Sequence, residues 1–162
     1  MLLMLLRHGP YRPKDEDPEE GLSPEGEEII ATSARALARL GLRPAVVMAS
    51  PKTRARQSAA IAARELGLDP QGVVVSQALK ALARPEDSLA AIQEAAGQGP
   101  VLLAGHLPNL ALVAAWLALG VAETGIELEA GGVACLEAEA LAPGRGELLW
   151  LMQPTQLAAL AG

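Results

Sequence analysis

Both histidines of this chain stand directly after apolar runs that are typical of buried strands. His8 follows the run 1–6 and Arg7. His106 follows the run 101–105. A neutral imidazole can act as a nucleophile, and a protonated one donates to anions. Because a lone histidine at a strand end is more often structural than catalytic, the function of these two depends on their neighbours.

Two arginines accompany the histidines. Arg7 needs a partner or a ligand, because a cation placed against an apolar strand is costly to leave unpaired. Arg54 comes one helical turn after a third apolar run, 45–49. The guanidinium fork matches the oxygens of phosphate, and a set of cations and histidines repels metal ions. These residues therefore predict a site for a phosphoryl group that needs neither a metal nor a cofactor, since phosphoryl transfer relies mainly on positioning and charge stabilisation.

The elements that carry these residues indicate one shared site. Open parallel α/β sheets bind ligands outside the carboxyl ends of their strands. Three strands would therefore direct their end residues to one edge of a sheet. The helix predicted to begin at Pro51 would add its positive N-terminal end to that edge. The four residues expected to meet there are Arg7, His8, Arg54 and His106.

Apolar runs alternate with helical patterns along the chain, which is typical of βαβ units. Ser23 as N-cap and Pro24 predict the start of the first helix, which Gly41 ends, and Ser50-Pro51 is predicted to cap the second. We therefore expect an α/β fold, a three-layer sandwich with a mostly parallel central sheet flanked by helices and a C-terminal β-hairpin. Segments 77–85 and 121–132 have no period that separates helix, strand and loop. The predicted strands are 1–6, 45–49, 72–76 and 101–104, the later helices are 86–96 and 108–120, and the hairpin joins 133–140 to 147–152.

Length and composition indicate a single folded domain and argue against disordered and nucleic-acid-binding proteins. A chain of 162 residues is expected to form a single domain, 1–162. A hydrophobic content of 51% argues against disorder, and an aromatic content of 2% argues against stacking platforms for bases. The net charge of −6 is concentrated in 12–28, and no stripe of Lys and Arg suggests nucleic acid.

The sequence also shows no pattern typical of a membrane-spanning segment or a signal peptide for export. The longest apolar run, 110–122, is too short to read as a membrane span, and the run 1–6 is too short for a signal peptide. The single cysteine, Cys135, excludes an internal disulfide and is expected to be a small core side chain. We therefore expect a cytoplasmic protein with no membrane partner.

Three motifs follow predicted strands in this order: Arg7-His8-Gly9, Ser50-Pro51-x-x-Arg54-Ala55-x-Gln57-Ser58 and Gly105-His106-x-Pro108. Together they resemble the histidine phosphatase superfamily, also called phosphoglycerate mutase-like. The resemblance extends over nearly the whole chain. Within the superfamily, the chain resembles the short SixA-type phosphohistidine phosphatases, because it lacks large insertions and contains Leu22-Ser23-Pro24-Glu25-Gly26 and Trp150-x-Met152-x-Pro154. The resemblance implies that His8 is a nucleophile that forms a phosphohistidine, and that Arg7, Arg54 and His106 hold the phosphoryl oxygens.

The chain departs from the superfamily at two places. Pro10 replaces a residue that is polar or acidic in many members. Many relatives also place a general-acid carboxylate after the third strand, whereas 77–84 contains no acid. Glu86, Asp87 or the acidic loop 15–20 are the nearest alternatives. Because an ester needs its alkoxide protonated and phosphohistidine loses an imidazole, the missing acid favours an N–P substrate.

We therefore expect a metal-independent phosphatase that removes phosphate from phosphohistidine in a protein such as a histidine-phosphotransfer domain. A small-molecule phosphomonoesterase is the alternative within enzymes, and a mutase is disfavoured because no further basic cluster is present. A non-catalytic module that binds phosphate or phosphoprotein is the alternative outside enzymes. Lys52 and Arg12 are candidates to line the entrance, although solvated positions are favoured for them and for Arg56 and Arg64.

Overall fold

The computed structural model describes residues 1–123 and 125–162 and has the expected α/β architecture. Six strands and five helices alternate through most of the chain, with short 3-10 turns at Pro70–Gly72 and Gln77–Leu79. The strands are β1 (Leu2–Arg7), β2 (Val46–Ala49), β3 (Val74–Val75), β4 (Val101–Gly105), β5 (Val133–Ala138) and β6 (Gly146–Met152). The helices are α1 (Pro24–Arg39), α2 (Thr53–Glu65), α3 (Pro85–Ala96), α4 (Asn109–Leu119) and α5 (Pro154–Ala161).

The strands form one six-stranded sheet in the order β3-β2-β4-β1-β5-β6. β1 and β2 both pair with β4 in parallel, and β3 pairs with β2 in parallel. β5 runs antiparallel to β1, and β6 runs antiparallel to β5, which gives the predicted C-terminal hairpin. The sheet is therefore mostly parallel, and β1, β4 and β2 end side by side at one edge, here called the carboxyl edge.

Two apolar cores cover the two faces of the sheet. On one face, Met4 and Leu102 pack with side chains of α1, α2 and α5. On the other face, Leu5 and Leu103 pack with side chains of α3 and α4. Both faces of β1 and β4 are buried, which explains why these strands read as continuous apolar runs without alternation. The three-layer sandwich is confirmed.

Several element boundaries differ from the sequence prediction. The second helix begins at Thr53, with Lys52 as an N-cap that makes no side-chain cap bond, so the prediction that Ser50-Pro51 caps it was wrong. Ser50 instead follows the end of β2 directly, and its hydroxyl contacts His106. The third strand is shorter than predicted and exposed, as an edge strand pairing with only one neighbour. α5 was not predicted, because its short apolar pattern follows the hairpin directly.

The two segments without a predicted secondary structure, 77–85 and 121–132, contain little regular structure. Segment 77–85 holds the 3-10 turn Gln77–Leu79 before α3 begins. In 121–132 the described residues form no helix or strand, and Thr124 lies outside the described residues.

Ser23 is the N-cap of α1 as predicted, and its side chain accepts from the amide of Gly26. No helix within the described ranges is long and apolar enough to cross a membrane.

Candidate active site

The carboxyl ends of β1, β4 and β2 lie level with one another. Arg7 is in register with Gly105, and the amide of His8 donates to the carbonyl of Gly105 at 3.0 Å. The amide of Ser50 donates to the carbonyl of Ala104 at 3.1 Å. The backbone therefore brings the residues that follow these three strands to one place, as the sequence predicts.

His8 is held in one tautomer by two hydrogen bonds. Its Nδ1 lies 2.9 Å from the carbonyl oxygen of Gly9. Because a carbonyl can only accept, Nδ1 carries the proton of the neutral ring. The Nε of Arg54 donates to Nε2 of His8 at 3.4 Å, which requires a lone pair on Nε2. The ring therefore presents an unprotonated Nε2 to the arginine, as a nucleophile must.

The carbonyl of Gly9 is held in place by the start of α1. A Cβ built on Gly9 would lie 2.7 Å from the carbonyl oxygen of Gly26. A Cβ on Gly26 would collide with the carbonyl of Pro10, so both positions need glycine for this close approach. The amide of Gly9 donates to Oγ of Ser58 on α2 at 3.2 Å. Two helices thus position the peptide that orients His8.

The environment keeps His8 neutral. Only 6% of the residue is exposed, and burial, together with the nearby charges of Arg54 and Arg7, lowers its pKa from 6.5 to about 4. The bond to Gly9 opposes this shift in the pKa but does not cancel it. At neutral pH the ring of His8 is therefore uncharged and available for attack.

His106 lies beside His8, with ring centroids 4.9 Å apart. Its Nε2 is 2.7 Å from Oγ of Ser50. Burial first, and then the electrostatic effects of a protonated His8 and of Arg54, lower the pKa of His106 to about 3. An uncharged His106 can donate one hydrogen bond through a ring N–H, and a dianion beside it would raise its pKa by favouring the protonated form.

Arg7 has both a structural partner and an open donor. Its Nη1 donates to the carbonyl of Leu128 at 2.7 Å, so part of the guanidinium is explained by the fold. Its Nε is buried and has no hydrogen-bond partner within the described residues. A buried donor without a partner is costly, and a phosphoryl oxygen would satisfy it.

Arg54 extends from the first turn of α2 across the site. Its guanidinium carbon lies 4.2 Å from the ring centroid of Tyr11, a cation–π contact. Its Nη1 is 3.7 Å from Oε2 of Glu20 and makes no hydrogen bond to the described part of the chain. The side chain of Arg54 is 13% exposed. Arg54 therefore also offers an open donor, next to Nε2 of His8.

The carboxylates proposed as general acids are not equivalent. Asp87 binds Arg84 through two contacts of 3.1 Å, and this hydrogen bonding lowers its pKa, which makes it a poor proton donor. Glu86 lines a surface depression together with Trp116 and Pro143, and none of the residues gathered around His8 lines it. Of the acidic loop 15–20, Glu20 reaches Arg54 directly.

Other basic residues and the cysteine lie outside the cluster. Arg56 and Arg64 are exposed on α2, and Arg12 is exposed. Lys52 is exposed, although its charge contributes to lowering the pKa of His106. Burial raises the pKa of Cys135, inside β5, to about 11, in agreement with a core side chain. Across residues 1–123 and 125–162, no three His, Cys, Asp or Glu side chains are grouped to hold a metal ion.

Three residues of the site were not identified from the sequence. Ser50 was read as a helix cap, although it stands in the same motif as Arg54. Tyr11 is the single tyrosine of the chain and follows the His8 motif closely, which is a weak signal. Glu20 is one of many acids in its loop, and no spacing distinguishes it from them.

Comparisons with known proteins agree with this geometry. Residues 3–80 match the model of the histidine phosphatase superfamily, branch 1. An uncharacterized protein of Picosynechococcus sp. is 35% identical over 143 residues, which cover 82% of each chain. The residues that match the family model, 3–80, include His8 and Arg54.

Solved structures share the fold. The protein histidine phosphatase SixA complexed with tungstate has a TM-score of 0.83 at 24% identity, with 97% of this chain and 99% of that chain covered. A phosphoserine phosphatase of Entamoeba histolytica in complex with 3-phosphoglyceric acid has a TM-score of 0.71 at 14% identity, with 97% and 98% covered. With the motif around His8 at the end of β1 and the second histidine at the end of the neighbouring β4, this chain belongs to the histidine phosphatase superfamily.

Proposed function

We propose that the protein is a metal-independent phosphatase in which His8 is the nucleophile and Arg7, Arg54 and His106 hold the phosphoryl group. The observation that carries the proposal is the tautomer of His8. Nδ1–H donates to the carbonyl of Gly9, and Nε2 is unprotonated and accepts a long hydrogen bond of 3.4 Å from Nε of Arg54. The low pKa of His8 keeps that lone pair available at neutral pH.

The reaction proceeds in two displacements. Nε2 of His8 forms a bond to phosphorus as the bond from phosphorus to the leaving group breaks. Water then attacks the phosphohistidine, and the N–P bond to His8 breaks to release inorganic phosphate. The open donors on Arg7 and Arg54 would bind the phosphoryl oxygens and stabilise their charge in both transition states.

The substrate we favour is phosphohistidine in a protein, such as a histidine-phosphotransfer domain. An alkoxide leaving group needs a positioned proton donor, whereas an imidazole leaves once solvent has protonated it. Asp87 is bound to Arg84, and Glu86 lines a depression that includes no residue of the His8 cluster, so neither supplies an evident donor. The fold shared with the protein histidine phosphatase SixA supports the same choice.

The test compares the wild type with His8→Ala on a phosphorylated histidine-phosphotransfer domain and on a panel of phosphate monoesters. We expect His8→Ala to lower turnover by on the order of 10³-fold or more, as removal of a nucleophile does. Wild-type enzyme quenched during turnover should carry phosphate that is labile to acid and stable to alkali. Arg56→Ala is the control, because it removes an exposed arginine from the same helix, α2, and it should retain turnover. A chelator should change nothing.

Two outcomes would change the assignment. Turnover by His8→Ala within tenfold of the wild type would refute His8 as nucleophile. Faster, equally His8-dependent hydrolysis of one ester would retain the mechanism and move the substrate to a small molecule. The phosphoserine phosphatase that shares this fold makes that second function the main competitor.

A further inference from the structure

We propose that Glu20 is a specificity-determining residue that disfavours substrates with a second negative charge beside the transferred phosphoryl group. The proposal rests on the phosphatase function proposed for His8. Glu20 belongs to the acidic loop, but its own contact with Arg54 sets it apart from the other acids there.

The carboxylate of Glu20 lies against the same guanidinium that faces the nucleophile. Its Oε2 is 3.7 Å from Nη1 of Arg54, while Nε of Arg54 is 3.4 Å from Nε2 of His8. The ring of Tyr11 lies against the guanidinium as well, at 4.2 Å. The side chain of Glu20 is 28% exposed, so it stands at the rim between the site and solvent.

The backbone of Glu20 supports a role for this side chain. Its φ of 50° is the one positive value recorded for a non-glycine residue in the described ranges. Residues in this region are unfavourable unless the surroundings hold them, and they concentrate at functional sites. Asp17 holds the turn, because its carboxylate accepts from the amides of Glu19 at 3.0 Å and Gly21 at 2.9 Å. The carboxylate of Glu20 is thus presented to Arg54 from an anchored position.

A phosphoryl group bound here would have Glu20 as a close neighbour. Nη1 of Arg54 and Nε of Arg7 are buried donors without partners in the described residues, and they mark where phosphoryl oxygens would bind. An oxygen bound to Nη1 would lie within about 7 Å of the carboxylate, from a hydrogen bond of about 2.9 Å added to the observed separation.

This neighbour acts differently on different substrates. A second anionic group on the substrate would be repelled by Glu20. An imidazole that leaves in its protonated form would be attracted. For two unit charges about 6 Å apart at a solvated rim, with an effective dielectric constant of roughly 40 to 80, the interaction corresponds to a roughly three- to tenfold change in kcat/KM.

The experiment compares two aryl phosphates that differ by one carboxylate, phenyl phosphate and 3-carboxyphenyl phosphate, with Glu20→Gln and wild type. We expect wild type to prefer phenyl phosphate, and Glu20→Gln to reduce that preference about three- to tenfold. Added salt should reduce the preference in wild type and leave it nearly unchanged in Glu20→Gln. Glu19→Gln is the matched control, because Glu19 contacts Thr53 at 3.3 Å and should leave the preference unchanged.

A merely positional role of Glu20 would give another result. If Glu20 only held Arg54 in place, Glu20→Gln would lower kcat/KM for both esters equally, and the proposal would be overturned. An unchanged preference would overturn it as well.

A binding measurement separates this proposal from the proposed phosphatase function. Calorimetry with inorganic phosphate and pyrophosphate needs no turnover. Glu20→Gln should strengthen binding of pyrophosphate relative to phosphate by about three- to tenfold, even if no ester is hydrolysed. Absence of turnover with this binding change would sink the phosphatase function alone. An unchanged ratio, or no binding of either anion by wild type, would overturn the role of Glu20.

Discussion

Acidification from pH 7 to pH 5 should destabilise this protein through its two buried histidines. Both pKa values are lowered in the fold, from 6.5 to about 4 for His8 and about 3 for His106. Between these values and 6.5 the unfolded chain binds more protons than the folded chain. Stability therefore rises with pH in this window, and it is lost as the pH falls below about 6.5.

The magnitude follows from the linkage relation. At pH 5 each histidine of the unfolded chain is almost fully protonated, whereas each folded one is still almost fully neutral. Relative to pH 7, each therefore lowers the free energy of unfolding by about 2 kcal/mol. The sum, just under about 4 kcal/mol, is an upper value because the two rings interact across 4.9 Å. This is a large share of the stability of a small domain.

Urea denaturation at pH 7 and pH 5, followed by circular dichroism, measures this difference. The double variant His8→Gln/His106→Gln should lose about 3 kcal/mol less than the wild type over the same interval. The chain has two histidines, so no other histidine contributes. Carboxylates with lowered pKa values, such as Asp17, affect stability mainly below this window and remain in both proteins. A wild-type loss below about 1 kcal/mol, or an equal loss in the variant, would refute the assignment of neutral buried rings.

Two further variants test the residues around His8. Arg54→Ala should lower kcat/KM by about 10²- to 10³-fold, because a donor to the phosphoryl charge is removed; an equal effect of Arg56→Ala in the same assay would show that the wrong arginine was chosen. Ser50→Ala removes the hydroxyl that lies 2.7 Å from Nε2 of His106 and should lower kcat/KM by about tenfold, with partial recovery in Ser50→Thr; wild-type rates in Ser50→Ala would show that this contact does not position the ring.

The arrangement of strands and the cluster of basic residues were accessible from sequence because each rests on a local signal. A run such as 101–105 is buried on both faces and reads as a central strand, and the residue after it must emerge at the carboxyl edge. That rule suffices to bring His106 close to His8. The same logic predicted Arg54, whose offset from the end of β2 is a single helical turn.

The features of the site that the sequence did not predict depend on contacts between segments that are distant in sequence. The carbonyl that fixes the tautomer of His8 is a backbone group, so no residue type in the sequence predicts it. Asp17 holds the turn from which Glu20 reaches Arg54, and the sequence offers eight acids between positions 12 and 28 without ranking them by distance. The predicted start of α2 was wrong because a serine followed by proline satisfies the capping rule. In the structure the hydroxyl of Ser50 instead contacts Nε2 of His106.

The acceptor that orients His8 has a consequence for how this protein tolerates mutation. In many enzymes the orienting group is a side chain, which a single codon change can delete. Here it is the main-chain oxygen of Gly9, which every amino acid carries. A substitution can only displace it, and the tight approach of Gly9 to Gly26 makes those two glycines the positions where displacement begins. The orientation of His8 is therefore expected to change through backbone spacing rather than through loss of the acceptor, and a search for variants with altered pH dependence should start at Gly9 and Gly26.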